Sequence, residues 1–443
     1  LDNKGTTVSV SHFDSVKIFR NSAPYINAHR GKTFVIVFGG EAVEDSNFAN
    51  IIHDIALLNS LGVRLVLVHG ARPQIDERVV LRRLAPRFEG HIRITDKQTL
   101  ECVKDAAGSV RSTVEALLTM GLANSPMHGA QIRVCSGNMV VAMPIGVRDG
   151  IDFENTGLVR RIDVNGINDH LDDGSIVLLS PMGYSPTGEV FNLSHEDVAT
   201  QAAIAMQADK LIIFSQGDGI VSADGRLLRN IELNQLYAML KEPFYAPQKH
   251  YLQAITSSLE SGISRCHCVS YQQDGALLQE LFTRDGAGSL ISQSYYEQLR
   301  EANIEDVGGI LKLIKPLEEQ GILVKRSRER LESEIEQFTL IERDGMTVAC
   351  AALYPYPNET CAELACVATH PDYRGGDRGE RLLQALKEQA LQHGLKSIFV
   401  LTTVTSHWFQ EQGFVLANLD DLPAKKKQLY NFQRNSKVFV LTL

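Results

Sequence analysis

Residues 32–288 alternate between short apolar runs and longer amphipathic stretches. The apolar runs predict strands at residues 33–38, 64–69, 132–135, 176–179, 210–214 and 267–270. Several of these runs lack the polar and apolar alternation of a half-exposed strand, which indicates burial on both faces of a largely parallel sheet. Between them, apolar residues spaced three or four positions apart predict helices at residues 48–61, 100–120 and 194–208. This order of strands and helices predicts an α/β fold.

The pattern changes after residue 288. Residues 291–298 carry polar and charged side chains without a strong apolar face, so we predict a linker there between domains at residues 25–290 and 299–443. The second domain is predicted to begin with helices, the first near residues 304–314. Its later elements are strands at residues 338–343, 347–354, 361–369, 397–402 and 437–441, and a helix at residues 380–393. Residues 1–24 form a separate N-terminal segment, predicted as a helix with Phe13, Val16 and Phe19 on one side.

Composition narrows the class of protein. A chain of 443 residues is long enough for two or three domains. Its net charge of −9 argues against a protein that coats nucleic acid, because phosphate binding needs a basic surface. Apolar runs are far shorter than the roughly 20 residues that cross a bilayer, and charged residues interrupt the start of the chain where a signal core would stand. We therefore expect a cytoplasmic protein without nucleic-acid or membrane partners.

The seven cysteines do not form a recognisable metal or disulfide pattern, because no Cys-x-x-Cys pair occurs among them. The string Cys266-His267-Cys268 resembles a ligand cluster at first sight. Successive residues of a strand point to opposite faces, so His267 should face away from both cysteines. We expect these residues to be structural and predict no metal site.

A glycine-bearing turn at residues 370–380 leads from a predicted strand into a predicted helix. The free N–H groups and positive dipole at the start of a helix suit a pyrophosphate, although a solvent-exposed loop would carry similar residues. Together with the segment at residues 408–414, the turn resembles the GCN5-related acetyltransferase family over roughly residues 299–443. In that family a (Gln/Arg)-x-x-Gly-x-(Gly/Ala) turn cradles the pyrophosphate of acetyl-CoA.

The resemblance implies acetyl-CoA as cosubstrate. Arg374 and Gly379 match the first and last positions of the family turn, whereas Asp377 stands where the family has glycine. We expect the Asp377 side chain to point outward while the backbone N–H groups face the phosphates. The implied coenzyme-binding residues are Cys366, Val367, Arg374, Gly375, Gly376, Asp377, Arg378, Gly379 and Glu380.

Two residues are candidates for the chemistry of acetyl transfer. An amine that attacks a thioester must lose a proton, directly or through water, to a base. Glu363, a carboxylate in an otherwise apolar strand, matches the position of the proposed base in similar synthases; a solvent-facing carboxylate on an edge strand is the alternative. Thr402, at the end of a predicted strand, matches the position where similar synthases offer a hydroxyl to the departing thiolate. Tyr430 is its rival.

Basic segments at residues 322–328 and 425–437 suit an acceptor with two carboxylates, because arginine binds each carboxylate in a bidentate manner. With the strings at residues 323–329, 349–355 and 433–438, the whole chain resembles the bacterial N-acetylglutamate synthases, the first enzymes of arginine biosynthesis. The resemblance implies transfer of acetyl to the α-amine of L-glutamate. It also implies that glutamate is held by Arg326, Lys425, Arg434 and Ser436. Because three lysines follow one another, the contact assigned to Lys425 could equally belong to Lys426 or Lys427.

The first domain resembles the amino-acid kinase family, notably acetylglutamate kinase, in residues 34–40 and 69–75. That family has a three-layer α/β/α fold, and its first strand ends in Lys-x-Gly-Gly, whose lysine neutralises charge on the transferred phosphoryl group. Here Val37 takes the place of the lysine, and residues 192–197 also depart from the family pattern. We expect a retained scaffold without phosphoryl transfer.

Residues 279–288 resemble the segment with which arginine-sensitive acetylglutamate kinases hold arginine. The resemblance implies feedback inhibition by L-arginine and assembly into a homo-hexamer through the N-terminal helix. The implied arginine-site residues are Tyr25, Glu280, Phe282, Thr283 and Gly288, of which Glu280 suits a guanidinium or ammonium group. A helix and turn with a solvent-facing glutamate is the alternative.

Two other functions stay open at this point. One is an active acetylglutamate kinase fused to a regulatory acetyltransferase fold, against which Val37 argues. The other is an arginine sensor without catalytic activity, for which Asp377 is the support.

Overall fold

A computed structural model describes residues 12–120, 132–293, 297–343, 345–374, 377–428 and 436–443. The chain divides into two compact units, Leu1–Tyr295 and Tyr296–Leu443. In the described part of the chain, no helix is both long and apolar enough to cross a membrane.

The first unit combines helices with an eight-stranded sheet. Its helices are α1 His12–His29, α2 Gly40–Glu44, α3 Phe48–Ser60, α4 Arg72–Leu81, α5 Lys97–Met120, α6 Val164–Asp172, α7 His195–Met206, α8 Leu233–Met239, α9 Lys249–Glu260 and α10 Ala276–Phe282, with a 3-10 turn at Pro243–Gln248. Its strands are β1 Thr33–Phe38, β2 Arg64–His69, β3 Phe88–Glu89, β4 Ile92–Arg93, β5 Val134–Cys135, β6 Val140–Pro144, β7 Val147–Arg148, β8 Ile151–Asp152, β9 Gly157–Ile162, β10 Ile176–Leu179, β11 Met182–Tyr184, β12 Val190–Asn192, β13 Lys210–Ser215, β14 Asn230–Glu232, β15 Arg265–Ser270 and β16 Ser289–Ser292.

The main sheet has the order β14-β16-β15-β13-β1-β2-β10-β5. All its pairs are parallel except β15 with β16. Phe34, Ile36 and Phe38 pack into the core on one face of the sheet, whereas Val35 and Val37 pack into the core on the other face. The strand β1 is therefore buried on both sides, and the predicted three-layer α/β/α architecture with a mostly parallel sheet is confirmed.

A second sheet of four strands, β12-β11-β6-β9, was not predicted from the sequence. Its strands are three to six residues long and partly exposed, as in Val140–Pro144, so they lack the continuous apolar runs that mark the main sheet. The helix α1 runs to His29, past the residue 24 boundary predicted for the N-terminal segment, and Val16 and Phe19 on it are exposed.

The second unit is built on a seven-stranded sheet of order β17-β18-β19-β20-β21-β23-β22. The strands are β17 Gln298–Glu301, β18 Phe338–Arg343, β19 Met346–Tyr356, β20 Cys361–Thr369, β21 Ser397–Thr402, β22 Val415–Ala417 and β23 Lys437–Thr442. The helices are α11 Val307–Glu319, α12 Arg328–Glu334, α13 Arg378–Gln392, α14 Ser406–Glu411 and α15 Ala424–Gln428. Short 3-10 turns lie at Ile304–Asp306, Ile335–Gln337, Pro357–Glu359, Pro371–Tyr373 and Leu419–Asp421.

This sheet is antiparallel except for β20 and β21, which run parallel. Leucines of α13 pack on one face, and α11 and α12 pack on the other. The unit begins with strand β17 rather than with a helix, and β16 and β17 both extend into the segment predicted as linker. β17 is mostly polar and β16 has only two apolar residues, Leu290 and Ile291, so neither forms an apolar run that would predict a strand.

Candidate active site and effector site

The strands β20 and β21 separate in the middle of the second sheet. They pair from Cys361 with Ser397 as far as Leu364 with Val400. Beyond these positions, β20 continues along β19, and β21 continues along β23. The two parallel strands therefore diverge and leave an opening between residues 365–369 and 401–402.

A β-bulge lies beside this opening. Cys366 and Val367 of β20 stand opposite Ala351 alone, because Ala352 pairs with Ala365 and Cys350 pairs with Ala368. The backbone of Cys366 adopts a φ of 54°, in the left-handed region that residues other than glycine rarely occupy. Bulges change the direction of backbone groups and occur next to active sites. Two of the predicted coenzyme-binding residues thus lie at the opening.

The predicted coenzyme turn leads into the N-terminus of α13. Asp377 is the N-cap residue, but its side chain is exposed and accepts no hydrogen bond from the helix. The first-turn N–H groups are therefore not capped by that carboxylate and can meet an anion. A Cβ atom at Gly379 would lie 3.0 Å from Cζ2 of Trp408, so the small residue lets the indole pack on the first turn. Gly375 and Gly376 lie outside the described residues.

The other predicted coenzyme residues have their own partners. Arg374 is exposed, with Nε 3.5 Å from the carbonyl oxygen of Thr369. Glu380 is exposed and accepts a hydrogen bond of 3.4 Å from Nε2 of Gln412. Arg378 turns its guanidinium back across the turn and donates to the Tyr373 carbonyl oxygen at 3.1 Å.

Glu363 lies on a central strand, flanked by Tyr354 of β19 and Phe399 of β21, and is only 8% exposed. This position rules out the alternative of a solvent-facing carboxylate on an edge strand. The Nζ atom of Lys426 lies 2.6 Å from Oε1 of Glu363. Burial and the neighbouring Glu363 carboxylate raise the pKa of Tyr356 to about 12. The carboxylate therefore sits in a small polar group within the sheet.

Arg326 follows α11 and lies near Tyr354, the residue opposite Glu363. Its backbone N–H donates to Oε1 of Glu318 at 2.8 Å, and its Nη1 donates to the Val324 carbonyl oxygen at 3.2 Å. Its Nε atom is buried and has no hydrogen-bond partner among the described residues. An unsatisfied buried guanidinium donor is costly, so this atom is available to a ligand acceptor.

The basic run on α15 divides into three environments. Lys425 is exposed, Lys426 pairs with Glu363, and Lys427 lies 3.3 Å from Oδ1 of the exposed Asp420. Lys426 is thus the lysine in contact with the candidate base, although sequence similarity assigned the acceptor contact to Lys425. Ser436 directly precedes β23, whose Lys437 pairs with Thr402. Arg434 and Tyr430 lie outside the described residues.

The Thr402 hydroxyl caps a turn. Its Oγ1 accepts hydrogen bonds from the backbone N–H groups of Val404 at 3.4 Å and Thr405 at 3.1 Å, and lies 3.0 Å from Thr405 Oγ1. Thr402 shares the face of β21 that carries Ile398 and Val400, whereas Glu363 shares the opposite sheet face with Cys361. The two catalytic candidates thus approach the opening from different faces.

In the first unit, Glu280 is buried and fully engaged. Its Oε1 lies 2.7 Å from Nδ1 of His267, and its Oε2 accepts hydrogen bonds from the N–H groups of Ala287 and Gly288 at 2.8 and 2.9 Å. These contacts hold the pKa of Glu280 at about 2 although burial alone would raise it. Gly288 has no room for a side chain, because a Cβ would lie 2.1 Å from the Cys268 carbonyl oxygen. The alternative of a solvent-facing glutamate does not fit this geometry.

The remaining predicted arginine-site residues surround the same place. Phe282 is buried, and its ring meets His29 of α1 with centroids 5.6 Å apart. Tyr25 is half-buried, with its ring 6.4 Å from His29. Thr283 Oγ1 donates to the Gln279 carbonyl oxygen at 2.6 Å and accepts from the Gly286 N–H.

Three polar residues of this cluster were missed by sequence reasoning. Nζ of Lys210 lies 3.2 Å from Nε2 of His267, and Nε2 of His29 lies 2.8 Å from the Leu281 carbonyl oxygen. Burial lowers the pKa of both histidines to about 4. The three come from α1, β13 and β15, so no local motif could have joined them. His267 faces away from Cys266 and Cys268, which pack in the opposite core, as expected.

At the end of β1, the position where the amino-acid kinases have a lysine is occupied by Val37. Val37 is 2% exposed and lies between Val68 and Ile213. The ring of His195 lies against the glycine turn, since a Cβ at Gly70 would come within 3.1 Å of its Cε1. A cavity of about 340 Å³ next to this turn is lined by Arg72, Asn192, His195, Glu196 and His250 among other residues. Within the described residues, no group of three or more His, Cys, Asp or Glu side chains could hold a metal ion.

Comparison with known proteins places both units. The sequence model of the amino acid kinase family matches residues 32–254, and that of the acetyltransferase (GNAT) family matches residues 308–414. The amino-acid acetyltransferase of Pseudomonas aeruginosa strain PAO1 is 55% identical over 430 residues, which cover 97% of this chain and 100% of that protein. The amino-acid acetyltransferase of Azotobacter vinelandii is 56% identical over 426 residues, covering 96% of this chain and 99% of that protein.

Two solved structures are also similar along the chain. Both are N-acetylglutamate synthase from Neisseria gonorrhoeae, and each comparison covers 97% of this chain and 99% of the other. The complex with coenzyme A and L-arginine is 36% identical with a TM-score of 0.86. The complex with coenzyme A and N-acetyl-glutamate is 37% identical with a TM-score of 0.62. Full-length identity above half, both family matches and this structural similarity establish that the chain is an enzyme that belongs to the amino-acid acetyltransferases, with an amino-acid-kinase-like unit followed by a GNAT unit.

Proposed function

We propose that this enzyme transfers the acetyl group of acetyl-CoA to the α-amine of L-glutamate, giving N-acetyl-L-glutamate and CoA as the first step of arginine biosynthesis. The observation that carries the proposal is the buried Glu363 on a central strand, next to the point where β20 and β21 diverge. The ligands of the Neisseria synthase, coenzyme A and N-acetyl-glutamate, are the two products of such a reaction.

The donor fits the second unit at two places. The uncapped first turn of α13 offers N–H groups to the pyrophosphate, and the exposed Asp377 carboxylate leaves these groups accessible. The bulge at Cys366 and Val367 offers backbone groups to the acyl end of the donor at the opening. Arg374, Arg378, Gly379 and Glu380 frame the turn between these places.

The acceptor needs cations for its carboxylates and a base for its amine. Arg326, with its unpartnered Nε, would bind one carboxylate, and Arg434, Ser436 and a lysine of α15 would bind the other. Lys426 can exchange its bond to Glu363 for a substrate carboxylate, which frees Glu363 to take a proton from the ammonium group. The amine then attacks the thioester carbonyl, and the tetrahedral intermediate expels the CoA thiolate.

The leaving thiolate takes up the second proton, which the nitrogen loses as the amide forms, and a hydrogen bond from a hydroxyl would stabilise the thiolate until then. The Thr402 hydroxyl already accepts two backbone hydrogen bonds, so its own proton is available to Thr405 or to the sulfur. Tyr430 stays the rival donor.

A CoA-release assay tests the function. We expect glutamate-dependent release of CoA that does not require ATP. Phosphoryl transfer from ATP to acetylglutamate, with formation of ADP, would instead support a kinase, which the buried Val37 disfavours. Arginine binding without either activity would support a sensor.

We further propose that L-arginine inhibits the enzyme at the cluster around Glu280, for which the arginine complex of the Neisseria synthase is the support. The cluster offers a cation, a carboxylate and an aromatic ring to an amino acid, from Lys210, Glu280 and Phe282, and arginine would replace a present partner of Glu280. The exposed apolar residues of α1, Val16, Ile18 and Phe19, favour contact with another copy of the chain and a homo-hexamer. Light scattering of the full chain and of a chain starting at Tyr25 tests that assembly: a hexamer in both would contradict a role of α1.

A further inference from the structure

Glu297 has a buried carboxylate that no part of the proposed mechanism uses. It is 7% exposed and immediately precedes β17. Its Oε1 accepts from Nη2 of Arg378 at 2.5 Å and from Nε of Arg378 at 3.0 Å. Its Oε2 lies 3.3 Å from Nη1 of Arg381, and Nη1 of Arg343 lies 3.8 Å from Oε1. One carboxylate thus gathers three guanidinium groups.

Two of these guanidinium groups belong to the first turn of α13. Arg381 also donates from Nη2 to the Glu297 backbone carbonyl oxygen at 3.3 Å, so both ends of the residue are bonded. Arg378 reaches back over the turn to the Tyr373 carbonyl oxygen. Its guanidinium lies 5.2 Å from the Tyr373 ring centroid, and that of Arg343 lies 5.6 Å from it.

The bond from Arg378 to the Tyr373 carbonyl oxygen ties the first turn of α13 to the 3-10 turn Pro371–Tyr373. The side chain of Arg378 is only 16% exposed, and without Glu297 its charge would lack its carboxylate partner. Leaving a buried charge unpaired is costly, so without Glu297 the contacts of Arg378 would rearrange. Glu297 therefore holds Arg378 and Arg381, and with them the first turn of α13.

We propose that Glu297 is a positioning residue for the pyrophosphate of the acetyl donor, acting through Arg378 and Arg381 on the first turn of α13. The inference rests on the proposed use of acetyl-CoA. The three arginines carry more positive charge than the single Glu297 carboxylate neutralises, and this charge lies beside the first turn of α13. The exposed carboxylates of Asp377 and Glu380 partly offset it.

The test compares full-length wild type with Glu297→Gln, which keeps the side-chain size and removes the charge. We expect the KM for acetyl-CoA to rise about tenfold or more, the scale of a lost charge-assisted interaction. We expect kcat to change less than about threefold and the KM for glutamate to stay within about twofold.

A truncated donor separates positioning from a general structural effect. S-acetylpantetheine has the same thioester but no pyrophosphate, so wild type and Glu297→Gln should use it with equal kcat/KM. Equal losses with both donors, or an unchanged KM for acetyl-CoA, would overturn the proposal. Inactivity of the wild type with acetyl-CoA and glutamate would instead reject the proposed function.

Two further variants complete the experiment. Glu342→Gln is the control, because it removes the same charge from another carboxylate of the unit. Oε2 of Glu342 accepts a hydrogen bond of 2.8 Å from Nε of Arg300. This variant should leave the KM for acetyl-CoA and the KM for glutamate unchanged. Glu297→Asp keeps the charge with a shorter reach, and its KM for acetyl-CoA should lie between those of wild type and Glu297→Gln. If Glu297→Gln fails to fold, calorimetric titration of CoA into Glu297→Asp decides: wild-type affinity would overturn the proposal, and weaker binding would support it.

Discussion

The Nζ atom of Lys426 lies 2.6 Å from Oε1 of Glu363, which joins the short helix α15 to the middle of the second sheet. The lysine side chain is 22% exposed and the glutamate side chain 10% exposed. An ion pair with this little water is stronger than one on the surface. The assigned base is therefore held by a residue from the basic segment that we assign to the acceptor.

Loss of the base should reduce turnover with little effect on the donor. For Glu363→Gln we expect kcat to fall by about 100-fold or more, the usual scale for a general base, while CoA binding by calorimetry stays unchanged. The matched control is Glu332→Gln, whose exposed partner is Arg328. An unaltered turnover between pH 6 and 9 would remove Glu363 from this role.

The three lysines of α15 should differ in their effect on the acceptor. Lys426→Gln should raise the KM for glutamate by about tenfold or more, because it removes the cation beside Glu363. Lys427→Gln, whose partner Asp420 is fully exposed, should change it less than about twofold. Steady-state kinetics of both variants and of Lys425→Gln checks this order. A larger effect at Lys425 would restore the assignment made from sequence similarity.

The acceptor itself should be selected by charge. Glutamine has lost one of the two carboxylates that we place against Arg326 and the basic segment, so its kcat/KM should be lower by about 100-fold or more. The comparison uses the two amino acids at the same pH and donor concentration. Comparable values would reject the two-cation acceptor site.

Stability should fall as the solution is acidified from about pH 6.5 towards pH 4. Burial lowers the pKa of His29, His69 and His267 to about 4, so in this range the unfolded chain binds protons that the folded chain does not. The contribution of each histidine is complete above its unfolded pKa and is lost as the pH falls through the folded value. Asp54, with a pKa raised by burial to about 7, acts in the opposite direction because its folded form holds a proton.

Urea denaturation at several pH values measures this dependence. His267→Gln should reduce the slope of unfolding free energy against pH by about one proton between pH 4.5 and 6. His393→Gln, at an exposed position, provides the control for the substitution itself. A slope that stays the same in His267→Gln would show that this histidine titrates normally in the folded protein.

Arginine inhibition should depend on the Glu280 carboxylate. Glu280→Gln should abolish inhibition while acetyl transfer continues, and Glu260→Gln, an exposed glutamate bonded to Tyr237, should remain inhibited. Linkage requires that any substrate weakened by arginine weakens arginine binding by the same factor. Calorimetry with and without that substrate measures the factor. Full inhibition of Glu280→Gln would place the inhibitory site elsewhere.

The parts of the fold that the sequence predicts best are those buried on both sides. Strands β1, β2 and β10 begin and end where the apolar runs do, because every residue in these runs except the half-buried Arg64 packs in a core. The four-stranded sheet was missed because its strands are stabilised by pairing rather than by continuous burial. The strand β17 was missed for the same reason, because its residues are mostly polar and exposed and it is held by pairing with β18.

The candidate sites show the same limit. Glu363 and Glu280 stand out locally, as carboxylates in apolar or glycine-bearing segments. Glu297 has no such signal, since its partners Arg378 and Arg381 lie 81 and 84 positions further along the chain. Lys210 likewise meets His267 only because β13 and β15 are neighbours in the sheet.

With the donor bound at the bulge as we propose, the left-handed backbone of Cys366 sets the stability of the fold against acetyl transfer. Such a conformation costs a non-glycine residue about 1 to 3 kcal/mol. Glycine at this position would remove that cost, but it would also remove a buried side chain and its contacts in the core. Selection for heat tolerance alone would therefore tend to relax the bulge, and thermostable variants obtained in this way should show slower acetyl transfer.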